Sequence, residues 1–413
     1  MRLVAGLSFA HSQPLLHWAY ADWTAASAET RESLPFAGPW AAGVAAWVAA
    51  RFASRRSIIC PLLAPRRGLP LVRAHLSILA GWGLVGYFGG LAPVLTTTAL
   101  GATWGHPDWL VLLASSAALV GFMGLGYLTG CLLPLAAAVP TAAAISFFAV
   151  INTGDMGTVT GPFYPFGVEA GLREPGVVMV FRVLFFVAAV VLTGAASAWW
   201  MRESTASYTT PALLGVVLVV LPLPLIGFLA NRQSPPLVEH DYSQATCERV
   251  DGVDVCVHPA RAVMLGPLTR AVEKVSRAIG PARPYTRVLD ATLWPQPRPD
   301  EIVLQLQAQD RNGWTTSAVQ DMVDQIANVS VCAAQAQTNP SRSPLAEQAA
   351  VSGAVGIWLD HEVGVAGDNI GGWPESVTLA ARLEAKPANE VRAALVKALP
   401  SIRACQGTIA QLP

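Results

Sequence analysis

Six cysteines, a run of arginines and one Asp-His-Glu triplet are the residues of this sequence best placed to do chemistry. Cys247, Cys256, Cys332 and Cys405 all fall in the second half of the chain, an even number that suits a disulfide framework. Three connectivities are possible. Cys247–Cys256 is favoured, because the spacer contains Asp251-Gly252 and can turn a hairpin, which leaves Cys332–Cys405 to tie the end of the chain back. A metal centre is the rival for four cysteines, but no Cys-x2-Cys pair occurs, so neither a metal nor a cofactor is expected. Disulfides persist in oxidising compartments, which places these four outside the cytoplasm, whereas Cys60 and Cys131 stand singly in the first half.

Asp360-His361-Glu362 is the one charged cluster with the groups for acid–base or metal work. Consecutive side chains point in different directions, so the sequence reads as a solvated turn after Trp358. The His-Glu pair lacks the second histidine of a zinc-binding helix, and there is no Gly-x-Ser-x-Gly elbow and no phosphate-binding loop. No catalytic residue is therefore assigned, and a membrane-anchored hydrolase ranks last among the functions considered. His258 reads as a surface or capping histidine. The sequon at Asn328-Val329-Ser330 is given no functional weight, since 24 Arg against 3 Lys points to a GC-rich bacterial genome.

Arginine also supplies the topological signal. Residues 1–232 hold 12 Arg, no Lys and 8 acids, a net charge of +4; residues 233–413 hold 15 basic and 19 acidic residues, a net charge of −4. Only 13% of the 413 residues are charged and 53% are hydrophobic, against about 25% charged in soluble domains. The balance leaves no case for a nucleic-acid binder; the partner implied by the first half is a lipid bilayer. A span needs about 20 apolar residues of helix. Seven such runs are expected at about 3–20, 36–51, 74–99, 109–128, 131–151, 177–200 and 211–230, with a tight hairpin around Gly130 to Pro134. Gly126 and Gly130 form a small-xxx-small pair that permits close helix packing. Arg51, Arg55, Arg56, Arg66, Arg67 and Arg73 fill the connection between the second and third runs and orient it to the cytoplasm. Alternation then puts 20–35, 100–108, 152–176 and the second half outside. Arg182 lies about six residues into the sixth run, a costly charge that is expected to snorkel or to pair with Glu174.

The elements that must position the second-half residues follow from pattern. Residues 244–258 suit a hairpin, and Val263, Leu268, Val272, Val275 and Ile279 recur at helical spacing with Pro267 as a kink. Strands are expected at 285–290 and 302–308, and helices at 317–328, capped by Thr315-Thr316, and at 344–359, 375–385 and 388–404. The fold class is thus an α-helical polytopic membrane domain over 1–232, followed by a small α+β soluble domain over 233–413 with two disulfides.

The order of features over residues 1–205 resembles the membrane subunit of a type 2 ABC exporter. The resemblance implies that Arg51–Arg73 is the connection that meets a separate ATP-binding subunit, that 152–176 re-enters the membrane, and that the subunit works as a homo- or heterodimer. Val255-Cys256-Val257-His258-Pro259, Trp373-Pro374-Glu375, Val391-Arg392 and Leu412-Pro413 look like the uncharacterised C-terminal domain of permease-like proteins of GC-rich Gram-positive bacteria. The chain departs from the exporter pattern in lacking an amphipathic segment before its first run, in having a seventh run, and in bearing an outer domain. The expected function is a permease-like transport component of the plasma membrane; the alternative is a membrane-anchored extracytoplasmic binding or sensing protein.

Overall fold

The computed structural model describes residues 2–53, 68–154, 170–202, 239–240, 245–293, 298–306, 311–338, 343–365 and 374–413. The chain divides into two compact units: Met1–Leu16 with Ala21–Asp241, and His17–Tyr20 with Tyr242–Pro413.

The first unit is helical: α1 (Arg2–Ser12), α2 (Trp23–Glu32), α3 (Leu34–Val48), α4 (Leu69–Gly101), α5 (Trp109–Leu132), α6 (Leu135–Gly154) and α7 (Gly176–Arg202). Among the described residues three helices, α4, α5 and α7, are long and apolar enough to cross a membrane, against seven runs expected from the whole sequence. The reasons are local. The run at 3–20 breaks at Pro14, which has no amide hydrogen to continue the α-helical ladder; the chain passes into a 3₁₀ turn at Gln13–His17. At 36–51 the α-helical part is 15 residues, followed by a π turn at Ala49–Ala53. Pro134 separates α5 from α6, a helix of 20 residues, so the expected hairpin forms. The run at 211–230 and most of the 152–176 loop lie outside the described residues.

α5 is the hub of this unit and packs on α3, α4, α6 and α7. The absence of side chains at two turns makes that possible: a Cβ at Gly126 would fall on the carbonyl oxygen of Ala42, and one at Gly130 on that of Ala46, both on α3. Ala41, Ala45, Tyr87, Leu119, Met123 and Trp200 fill the core, and the Trp200 indole donates to the Cys131 carbonyl at 3.0 Å. By contrast α4 and α7 leave Trp82, Val85, Leu184 and Val191 exposed. A two-stranded ladder pairs β1 (Leu172–Arg173) with β2 (Glu239–His240).

The second unit is built on a four-stranded sheet of β3 (Thr246–Val250), β4 (Val253–Val257), β5 (Arg287–Asp290) and β6 (Glu301–Leu304), in that order. β3 and β4 form the hairpin around Asp251-Gly252, both at positive φ; the β4–β5 and β5–β6 pairs are parallel. Among the described residues six helices accompany it: α8 (Ala262–Ile279), α9 (Trp314–Ala327), α10 (Val329–Thr338), α11 (Ser343–Val363), α12 (Pro374–Glu384) and α13 (Ala388–Arg403). Val272, Val275 and Ile279 of α8 are fully buried at the spacing the sequence shows, and α8 packs on β3 and β4. Two local readings are corrected. Gly313, not Thr315 or Thr316, precedes the first turn of α9, without a side-chain cap, and the segment after it is a further helix, α10, entered through Asn328 in the left-handed region.

Candidate functional site

Three segments of the first unit that are distant in sequence meet at one end of its helices: α2, the turn before α5, and the residues leading into α7. Helix α2 starts because Asp22 accepts hydrogen bonds from the Thr24 and Ala25 amides, and α5 because Asp108 accepts from Leu110 and Val111. The two starts are tied together, since the Asp108 amide donates to Ser27 Oγ at 3.0 Å. One turn further on, the Thr30 and Ser115 hydroxyls lie 3.1 Å apart, and Ser33 Oγ donates to Tyr87 on α4 at 3.0 Å. A cavity of about 420 Å³ opens between these starts, lined by Thr24, Ser27, Trp104, Trp109, Arg173 and Glu174 among others.

At the base of that arrangement sits a buried ion network. Glu174 Oε1 accepts from Arg31 of α2 and, at 3.1 Å, from Nη1 of Arg182 of α7. The three side chains are 3%, 4% and 2% exposed, which decides between the two expectations for Arg182: it is paired inside the protein and does not snorkel. Two cations share one carboxylate oxygen in a site with little water. Removing a single partner from such a group costs about 3–5 kcal/mol, because the remainder is left uncompensated.

Two more acids and a histidine lie on the same helix end. Glu29 and Glu32, three residues apart on α2, share a face, and His11 in the last turn of α1 reaches them, with its Nε2 3.5 Å from Glu29 Oε1. Burial, and next the neighbouring Glu32, push the Glu29 carboxyl up to about 8; α2 lies outside the candidate spans. None of Arg31, Glu29 and Glu32 stood out in the sequence, where they read as part of a short polar connection. The available signal was the density of charge, three ionisable residues in four positions inside a half that is otherwise almost free of them.

The remaining sequence-derived residues are placed as follows. Arg51 lies on the π turn after α3 with its guanidinium 5.2 Å from the Trp47 ring and 5.6 Å from Phe52, and Arg73 is exposed on the first turns of α4. Arg55, Arg56, Arg66 and Arg67 lie outside the described residues. Cys247 pairs with Cys256 across the β3–β4 hairpin, where the two are direct partners, and Cys332 of α10 pairs with Cys405 after α13; their Cα atoms are 4.1 and 5.3 Å apart. Asp360, His361 and Glu362 are not a solvated turn. They form the last turns of α11, where Asp360 is fully buried, His361 pairs with Glu384 and Glu362 accepts from Arg392 at 2.9 Å. The three point three ways and are not assembled into one site. His258 is buried rather than at the surface, and its Nδ1 caps the following turn by accepting from the Ala260 amide. Asp290, at the end of β5, holds Arg261 at 2.7 Å in a buried pair that no sequence pattern announced.

No family model, curated protein or solved structure matches the chain.

Proposed function

We propose that this chain is a membrane-embedded transport component, a multi-pass permease-like subunit that works with a separate ATP-binding subunit. The observation that carries the reading is the Arg31–Glu174–Arg182 network, in which an apolar helix long enough to span a bilayer keeps a charge inside the protein. Ionisable groups in such helices are expensive, and where they persist they mark pathways, relays or gates. An anchor needs none of them. The sequence has no phosphate-binding loop of its own, so ATP-driven work requires a partner, and the arginine-rich connection from Arg51 to Arg73 is the cytoplasmic surface for it. In this reading α4, α5 and α7 are among the spans of the plasma membrane, alternation along the sequence requires the runs at 131–151 and 211–230 to cross as well, the network lies near the outer face, and the disulfide-bonded second unit stands outside the cell.

The test is recovery of the chain from its native membranes, with Arg51, Arg55, Arg56, Arg66, Arg67 and Arg73 either intact or all replaced by Ala. An ATPase bearing a phosphate-binding loop is expected with the intact chain and not with the variant. Recovery of no ATPase in either case overturns the proposal. A second reading, an outer binding or sensing module anchored by the helices, is favoured by the second unit's own core and two disulfides; binding of an envelope component by residues 242–413 alone, without any ATPase in the full-chain recovery, would select it.

A further inference from the structure

We propose that His11, Glu29 and Glu32 form a binding site for a divalent transition-metal cation of the Zn²⁺ or Mn²⁺ class at the junction of α1 and α2. One donor atom from each residue lies within 4.8 Å of the others. In a tetrahedral Zn²⁺ site with bonds of about 2.0–2.2 Å the donors stand about 3.4 Å apart. A change of about 1 Å at the ends of three side chains closes that gap, and two of the three, His11 and Glu32, are only half-buried and free to make it.

The independent observation is Glu29. Its residue is 7% exposed, and no hydrogen bond from the described residues reaches its Oε1, the oxygen that faces His11. Buried polar atoms are almost always paired, and a buried carboxylate without a donor is costly. His11 at 3.5 Å is too distant for a good hydrogen bond, and Arg31, two residues along α2, pairs with Glu174. A cation between Oε1 and Nε2 satisfies both atoms at once.

Donor chemistry selects the class. One imidazole with two carboxylates suits Zn²⁺, Mn²⁺, Co²⁺ or Fe²⁺, whereas Mg²⁺ and Ca²⁺ favour all-oxygen shells. Three protein donors leave a fourth position for water, reached from the half-buried side. The bound cation links the last turn of α1 to α2, directly beside Arg31 in the ion network. It does not depend on the transport reading, since an anchored sensing protein would hold the same site.

Co²⁺ titration of the full chain in detergent tests the site. The protein carries no histidine tag, and Cys60 is replaced by Ser so that no thiolate competes there. One equivalent of Co²⁺ is expected, with visible d–d absorption, displacement by Zn²⁺, and a raised thermal midpoint. Glu29→Gln, His11→Gln and Glu32→Gln are each expected to weaken binding by at least about tenfold. Should His11→Gln or Glu29→Gln fail to fold, as judged by size-exclusion profile, Glu32→Gln at the half-buried position carries the test. Absence of Co²⁺ binding overturns the proposal, as does binding whose affinity is the same in the folded variants as in the parent.

Discussion

A carboxylate in a protein interior that makes no hydrogen bond is destabilising unless it keeps its proton, and Asp360 is such a group. It is fully buried near the end of α11 and neither carboxyl oxygen has a hydrogen-bond partner among the described residues. Burial pushes its carboxyl up to about 7, with His361 pulling weakly the other way. The folded state therefore holds a proton from about pH 4 to about pH 7 that the unfolded chain has released, and stability must fall as pH rises through that window, by up to about 1.4 kcal/mol per unit, and level off above it. Asp360→Asn, which stays neutral throughout, is expected to remove this slope: little change at pH 4, and a higher urea midpoint than the parent at pH 8. Unfolding of the second unit followed at both pH values checks it, and an equal shift at both would sink the assignment. The triplet to which Asp360 belongs was visible in the sequence because three ionisable groups stand together. Its burial was not, since adjacent residues on a helix face different surroundings and only the packing of α11 tells which one points inward. Arg182 is the converse case. Its position within an apolar run was legible, and so was Glu174 as one possible partner, but Arg31 comes from a helix more than 140 residues earlier, and no local pattern encodes that meeting.

Helix length and helix approach are set by prolines and glycines, and both were partly readable. Pro134 separates two helices at the turn expected from the sequence, with Leu133 before it in the extended region, whereas a hydropathy scan passes over Pro14 and counts 3–20 as one run. The break at Gln13–His17 and the π turn after α3 shorten two of the expected runs, and three helices of spanning length stand among the described residues. The Gly126/Gly130 pair, in contrast, acts as its spacing suggests, because contact between α5 and α3 depends only on the missing Cβ at two turns of one helix. Gly126→Leu or Gly130→Leu would drive a side chain into the backbone of α3, which cannot give way as a flexible side chain can. Overpacking of that kind costs about 1–3 kcal/mol or more, so each is expected to lower the thermal midpoint of the detergent-solubilised chain by several degrees and to reduce its yield. Gly89→Leu on α4, where a Cβ would meet nothing within 4 Å, is the control and should leave both unchanged. Equal tolerance at all three positions would mean that α3 and α5 do not pack through these glycines.

Across the whole chain, the zero net charge conceals a division that the structure expresses as two units, each with its own core. Charge density and the grouping of four cysteines made that division legible, and alternation made the β3–β4 hairpin legible; the order of the four strands and the helix α10 were not, because parallel pairing joins segments whose sequences carry no mark of their neighbours. The two disulfides act on the second unit at different ranges. Cys247–Cys256 closes a separation of 9 residues inside a hairpin that its own strand pairing already holds, whereas Cys332–Cys405 spans 73 and joins α10 to the end of α13. Loop-closure entropy in the unfolded chain grows with the logarithm of that separation, which gives about 2.5 kcal/mol for the short loop and about 4 kcal/mol for the long one. Residues 242–413, produced oxidised, should therefore unfold cooperatively in urea. Replacing Cys332 and Cys405 by Ser should lower the stability by about 1–2 kcal/mol more than replacing Cys247 and Cys256 does. The reverse order, or a fragment with no cooperative transition while both bonds are formed, would show that the second unit draws its stability from something other than its own core and cross-links.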